Sequence, residues 1–181
     1  GVTEDREADN TVKKTLSVYS ETVARNCIYI EQFTGQDCPN CPGGSKAMSE
    51  AIAKMTNPNA AVWVAHHTYG TDQFTINGSL SIADYLYVNA APQCNINRLP
   101  MDYGMGVEEL IWHPGYATKA ILERALSEPG LATIELSRTY NAETRELAVE
   151  VKGRAIEKDA YITAIVTQSG TYTIDALSQN A

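Results

Sequence analysis

The sequence predicts an α/β domain followed by a small antiparallel β-module, and three observations carry that expectation. Two apolar, β-branched segments, residues 27–33 and 61–65, flank a stripe of Met48, Ala51, Ile52 and Met55. That recurrence at i, i+3, i+4 and i+7 marks one face of a helix. Strand, helix, strand at this spacing is a βαβ unit, so the two strands are expected parallel and adjacent through a right-handed crossover. Beyond Gly130 the period changes to two, in residues 131–137, 146–151 and 161–166, as in half-buried strands.

Composition narrows the classes of function before any motif is considered. The 181 residues suit one medium domain, or one compact domain with an appendage. A hydrophobic share of 44% and a charged share of 20% belong to a folded protein rather than a disordered chain. The formal net charge is -8 and the Lys and Arg residues are scattered, so no basic stripe exists to meet phosphates and no nucleic-acid partner is expected. No stretch approaches the roughly 20 apolar residues of a membrane span, and none is expected here. The polar start, Gly1-Val2-Thr3-Glu4-Asp5-Arg6, reads like a trimmed mature end, so the lack of a leader says nothing of compartment. Four cysteines suit an oxidising compartment and a cytosolic redox protein alike.

Residues 1–26 read as a polar arm, in which 11–19 partly alternate and are expected to add an edge strand. The α/β domain occupies 27–128. Its first strand ends at Gly35, and Pro42 suits the first position of the helix that follows. Asn57-Pro58 stops that helix, and the continuous apolar run 61–65 reads as a strand covered on both faces. Residues 69–78 read as a surface loop. Ser81 with Asp84 resembles a capping box, opening a second helix that carries Ala83, Leu86, Tyr87 and Ala90. Ala91-Pro92 leads into a short strand over 93–98, and 101–109 suit a glycine-containing hairpin. Pro114 opens a third helix with Ala117, Ile121 and Leu122, closed by Pro129-Gly130. Residues 129–181 form the β-module, with a hairpin loop at 141–144. Three or four strands in about 50 residues bury little core alone. The module is therefore expected to pack on the first domain, to borrow the N-terminal strand, or to continue in a longer chain.

The chemistry-bearing feature is Cys38-Pro39-Asn40-Cys41, at the junction of the first strand and its helix. Two intervening residues let the thiols close a small disulfide or share a metal. A helix N-terminus beneath them favours the thiolate, since its free amides and dipole stabilise negative charge. The spacing alone leaves redox chemistry, zinc and an inert staple open. In a parallel βαβ unit the C-terminal strand ends share the edge where ligands bind. His66 and His67 are thus expected to approach the cysteine turn, and Cys94 to begin near the same edge. Three thiols and an imidazole there would make a soft site for zinc or copper, although the gap from Cys41 to His66 exceeds zinc-finger spacing. The plainer expectation is one imidazole hydrogen-bonded inside and one wet. Cys27, at the opposite edge, is expected to fill space as a buried hydrophobe. Trp63 and the tyrosines read as core or interface. Asn77-Gly78-Ser79 fits a glycosylation sequon, with a turn as the simpler account.

The order strand, Cys38–Cys41 turn, helix, strand, helix, Ala91-Pro92, strand, helix resembles the thioredoxin fold over residues 27–127. More narrowly, Ile30-Glu31-Gln32-Phe33-Thr34-Gly35, Cys38-Pro39-Asn40-Cys41-Pro42, Val64-Ala65-His66 and Asn97-Arg98 resemble one family. It is the outer-membrane-protein-related family of twenty-eight-kilodalton type, from envelope proteins of Bacteroides-like bacteria. Its members couple a thioredoxin-like domain to a C-terminal β-domain, so the resemblance implies a cell-envelope location, in the periplasm or at the outer membrane. It also implies that Cys38 is the exposed cysteine that attacks disulfides, and Cys41 the buried one that resolves the mixed disulfide. Pro92 matches the cis-proline opposite them, where with Ala91 a substrate backbone would pair. Two departures stand out. Gln32 takes the place of a buried aspartate that accepts a proton, which an amide cannot do. Asp37 replaces the usual aromatic residue before the first cysteine, and its charge would raise the thiol pKa.

The leading expectation is therefore a thioredoxin-like envelope protein with a thiol-disulfide exchange site. Cys38 and Cys41 would carry the chemistry, Ala91 and Pro92 would bind substrate, and His66 and Cys94 would be accessory. No cofactor is called for. The partners would be protein thiols or disulfides, or another envelope protein. The alternatives are a non-catalytic binding or assembly module whose cysteine pair is a structural disulfide, and a metal-binding protein.

Overall fold

A computed structural model describes residues 18–156, 160–167, 169–174 and 177–180. The chain divides into two compact units, Ala24–Gly130 with Tyr161–Ala181 and Gly1–Val23 with Leu131–Ala160.

The larger unit is built on three strands, β1 (Ile28–Thr34), β2 (Ala61–His67) and β3 (Gln93–Ile96), in the order β2-β1-β3. β1 and β2 are parallel, in register from Ile28↔Ala61 to Thr34↔His67, as the βαβ reading requires. β3 runs antiparallel to β1, pairing Ile30↔Ile96 and Phe33↔Gln93. On its other side Cys94 and Trp112 exchange two backbone hydrogen bonds of 2.8 and 3.0 Å, so the free edge of β3 is capped.

Side chains alternate across a strand, and the two faces of this sheet are covered by different helices. Ile28 and Ile30 join Met48 and Ala51 of α1 (Cys41–Ala53), and Ile121, Leu122 and Ala125 of α3 (Lys119–Ser127), in one buried cluster that includes Cys94, Ile96 and Trp112. Phe33 points the other way, into a smaller cluster with Ala83 of α2 (Asn77–Tyr85) and Leu86. β1 is buried on both faces at all but one position, as a central strand between two helical layers must be. The hairpin expected over 101–109 forms between β4 (Met101–Asp102) and β5 (Glu108–Glu109), with Gly104 and Gly106 at positive φ between them.

Several boundaries differ from the sequence reading. α1 ends at Ala53, and Met55 reaches the core from beyond the helix. α2 begins at Asn77, four residues before the Ser81 cap that was expected, with Ile76 at its N-cap. The Asn77-Gly78-Ser79 segment is thus a helix start and not a turn. The early start gives Ser79 a buried partner on β2, an attraction that no local cap records. α2 also stops at Tyr85, so Leu86 packs but Tyr87, at φ 57°, is exposed. Pro114 opens only a single 3₁₀ turn, Pro114–Tyr116. The third helix starts separately at Lys119, where Thr118 Oγ1 accepts the backbone N–H of Ile121 at 3.3 Å. Cys27 precedes the first register pair, so no neighbouring strand covers it, and it is exposed rather than buried.

In the smaller unit β6 (Ala132–Asn141) and β7 (Glu146–Ala155) form a ten-pair antiparallel hairpin. Its turn is closed by Asn141 Oδ1, which accepts the backbone N–H groups of Glu143 and Thr144 at 2.9 and 3.2 Å. The alternating segment at 161–166 is not a strand. Period two marks a chain able to pair, and among the described residues no strand pairs with it. β8 (Thr171–Ile174) and β9 (Leu177–Asn180), which belong to the larger unit, pair antiparallel. The edge strand expected over 11–19 falls largely outside the described residues.

Candidate functional site

Cys38 and Cys41 form a disulfide, with S–S 2.05 Å and Cα–Cα 5.4 Å. Cys41 is the first residue of α1 and Pro42 the next. The bond therefore sits at the amino end of a 13-residue helix, where free amides favour a thiolate once the bond opens. The turn that delivers Cys38 is closed by its N–H donating to Gly35 O at 3.2 Å. Pro92 follows a cis peptide from Ala91. A Cβ on Gly44 would lie 3.0 Å from Pro92 Cγ and 2.8 Å from Pro114 Cγ, so both prolines rest on the end of the first turn of the cysteine helix. The cysteine pair, Pro92 and half-buried Ala91 are thus brought to one end of α1.

Accessibility departs from what the resemblance implied. Cys38 is only 1% exposed and Cys41 is fully buried. In this oxidised state the first cysteine is not the open nucleophile expected from sequence. Gln32 is buried beneath the same helix, and its Nε2 donates to Ser45 Oγ at 2.7 Å. Its Oε1 has no hydrogen-bond partner among the described residues. The position of the proton-accepting aspartate is occupied by an amide that holds α1 to β1.

The two histidines separate by the parity of the sheet. His66 is in register with Phe33, on the α2 face. Its ring stacks on Phe33 at a centroid distance of 5.4 Å, and Nδ1 lies 3.0 Å from Ser79 Oγ. Nε2 lies 3.4 Å from Glu31 Oε1, too poorly aligned to be a hydrogen bond. His66 therefore belongs to a network around Glu31 and not to the cysteine turn. Glu31 is fully buried. It takes a fork from Arg98, with Nε to Oε2 at 2.8 Å and Nη2 to Oε1 at 2.6 Å, and further donors from Asn95 Nδ2 at 3.1 Å and Tyr29 OH at 3.2 Å. Burial alone would raise its pKa, but the bonds from Arg98, the nearby His66 ring and the bond from Asn95 outweigh that and hold it at about 2.

His67 is in register with Thr34 and faces the α1 side. It too is buried, so neither imidazole is the wet one that was expected. Its Nδ1 lies 2.7 Å from Asp72 Oδ2, and that same oxygen accepts the backbone N–H of Gln36 at 2.8 Å. Asp72 Oδ1 accepts Phe74 N–H at 2.8 Å. Burial works to raise the Asp72 pKa, and the bonds from His67, Gln36 and Phe74 bring it below the ordinary carboxylate value. Asp72 was invisible to sequence reasoning, since nothing in a loop aspartate announces a partner across the sheet edge.

Cys94 pairs with Gln32 and is buried in the apolar cluster of Ile30, Met48 and Trp112. Burial pushes its thiol well above the usual value, so it stays protonated. The convergence of three thiols and an imidazole does not occur. Cys38 and Cys41 are bonded to each other and His66 faces α2. Among the described residues no group of three His, Cys, Asp or Glu side chains is arranged to hold a metal. A cleft of about 500 Å³ is lined by Gln93, Tyr103, Trp112, His113 and Tyr116 among others, and by none of Cys38, Cys41 and Pro92. No helix among the described residues is long and apolar enough to cross a membrane.

No family model matches the chain, and no curated protein matches it either. Among solved structures the chain is similar to HBP35 of Porphyromonas gingivalis, at 16% identity and a TM-score of 0.54, over 75% of this chain and 44% of that one. A crystal structure of protein AGR_C_4864 from Agrobacterium tumefaciens is also similar, at 19% identity over 73% of this chain and 57% of that one, but with a TM-score of 0.41, too low to bear on the fold. The chain spans less than half the length of HBP35. The fold is thioredoxin-like, with antiparallel strands following, and it carries a Cys38–Cys41 disulfide at the expected helix start.

Proposed function

We propose that this chain is a thioredoxin-like module of the cell envelope whose Cys38–Cys41 pair exchanges electrons with protein thiols or disulfides. One observation supports the reading above others. The disulfide lies at the amino end of α1 while cis-Pro92 rests on Gly44 of the same helix. In the reduced form a Cys38 thiolate attacks a partner disulfide, giving a mixed disulfide and a free partner thiolate. Cys41 then displaces the second partner sulfur, so two electrons pass to the partner and the Cys38–Cys41 bond re-forms. Ala91 and Pro92 hold the partner backbone beside the sulfurs. An envelope location agrees with a formed disulfide and with the sequence motifs described above.

The test is turnover of insulin disulfides with dithiothreitol as the electron source, comparing the native chain with Cys38→Ser. The native chain accelerates insulin precipitation and the variant does not. Equal rates for the two would remove the exchange reading.

A second reading is favoured by a specific observation, the 1% exposure of Cys38 together with an amide at Gln32. On that reading the bond pins the start of α1 in a binding or assembly module. The reduction potential separates the two, since a structural bond lies below about -300 mV and a working couple above it.

A further inference from the structure

A single carboxylate oxygen joins the loop after β2 to the turn that carries Cys38. Asp72 Oδ2 receives both the His67 ring nitrogen at 2.7 Å and the Gln36 backbone N–H at 2.8 Å. Gln36 lies two residues before Cys38, within the turn closed by Cys38 N–H on Gly35 O. The same loop also holds the last residue of β1, just before the turn. Thr68 and Tyr69 both donate their N–H groups to Thr34 O, at 2.8 and 3.0 Å. A Cβ on Gly35 would lie 2.5 Å from Tyr69 O, so loop and turn approach as closely as a glycine allows. Within the loop Asp72 is held in place, with Phe74 N–H on Oδ1 at 2.8 Å and its own N–H on Thr75 Oγ1 at 3.0 Å. His67 is fixed in turn by the ring of Phe74, 5.1 Å away. The cysteine this turn delivers, Cys38, is 1% exposed.

Attack on a disulfide needs a thiolate in line with the S–S axis, so the reaction is gated by whatever keeps a sulfur covered. Here Cys38 is carried by the turn at 35–38, and the Gln36 amide of that turn is anchored to Asp72. The geometry points to Asp72, backed by His67, as a positioning residue that sets the reactivity of the Cys38–Cys41 bond through the Gln36 amide. The inference deepens the exchange reading, and its chemistry concerns this bond whether the partner is a substrate or a simple dithiol. It needs no contact between the imidazole and a sulfur.

The experiment is stoichiometric reduction of the native disulfide by dithiothreitol. One thiolate of the reagent attacks a cysteine sulfur, forming a mixed disulfide and expelling the other cysteine as a thiolate that takes up a proton. The second thiol of the reagent then closes its own ring and expels the first cysteine. Two electrons and two protons end on Cys38 and Cys41, and the reagent is left as its cyclic disulfide. Asp72→Asn keeps the size of the side chain but removes the charge and one acceptor oxygen, so it cannot serve Gln36, His67 and Phe74 together. Its second-order rate constant is expected to rise about tenfold, as a loss of about 1.4 kcal/mol from the anchoring would give. His67→Ala is expected to raise the rate less. The double variant should match Asp72→Asn, because His67 acts through Asp72.

Tyr29→Phe, which removes a hydrogen bond to Glu31 on the other face of the sheet, supplies a control for general loosening and should leave the rate within twofold of native. An Asp72→Asn rate within twofold of native overturns the proposal. So does a Tyr29→Phe rate that rises as far as that of Asp72→Asn. If Asp72→Asn does not fold, the His67→Ala rate decides alone, and an unchanged value overturns the proposal equally. Failure of the insulin assay leaves this measurement intact, so the two readings fall separately.

Discussion

Glu31 is the residue whose chemistry most constrains the rest of its layer. A carboxylate at 0% exposure survives only because its oxygens are fully paired, and its partners come from all three strands of the β2-β1-β3 sheet and the segment after β3. Removing the charge leaves the Arg98 fork without its counter-ion, so Glu31→Gln is expected to cost about 3 kcal/mol at neutral pH. The pH dependence has a definite sign. A carboxylate with its folded pKa near 2, against 4.5 ordinarily, contributes stability above 4.5 that is lost as the pH falls toward 2. The difference in unfolding free energy between the native chain and Glu31→Gln should therefore shrink between pH 5 and pH 2.5, as read by urea denaturation at each pH. A difference that stays constant over that range would show that Glu31 gains nothing from its partners.

At the scale of the element, α1 carries two adjacent glycines with opposite constraints. Gly43 is exposed and a Cβ there meets nothing within 4 Å. Gly44 is buried against the rings of Pro92 and Pro114. Alanine is favoured over glycine in a helix by roughly 1 kcal/mol, so Gly43→Ala is expected to raise the melting temperature. At Gly44 the same gain is opposed by overpacking against two rigid rings, which costs about 1–3 kcal/mol. Gly44→Ala should lower stability, and displace Pro92 from the cysteine helix. Thermal unfolding of the pair checks both signs, and a stabilised Gly44→Ala would mean that the prolines yield freely. The periodicity of α1 was legible from Met48, Ala51 and Ile52, because burial of one face selects apolar residues at that spacing. The start of α2 was not legible. Ser79 makes its bond to His66 on another strand, and a long-range bond leaves no mark on neighbouring residues.

At the scale of the whole molecule the disulfide closes a very short loop, so its effect on stability is small whatever its effect on chemistry. Four residues enclosed correspond to about 2 kcal/mol in the chain-entropy model. The doubly substituted Cys38→Ser, Cys41→Ser chain is expected to fold, with its unfolding free energy lowered by about that amount, measured by denaturant titration. Complete loss of folding would mark the bond as an essential staple and favour the structural reading over exchange. The βαβ core, with buried strands and helices on both faces, supplies most of the stability.

The amino-acid order alone establishes that the two strands of the βαβ unit pair, which face of α1 is apolar and that two thiols stand at a helix start. Each of these follows from local periodicity or from a fixed spacing along the chain. Folding in three dimensions settles which groups meet at those sulfurs. Register parity sends His66 to α2 and His67 to the α1 side, and a one-residue slip would exchange them. Asp72 reaches Gln36 across 36 positions of sequence, and Pro92 reaches Gly44 across the strand between them. Such meetings depend on how strands align and loops close, and those are sums of many weak contacts that no short stretch of residues encodes.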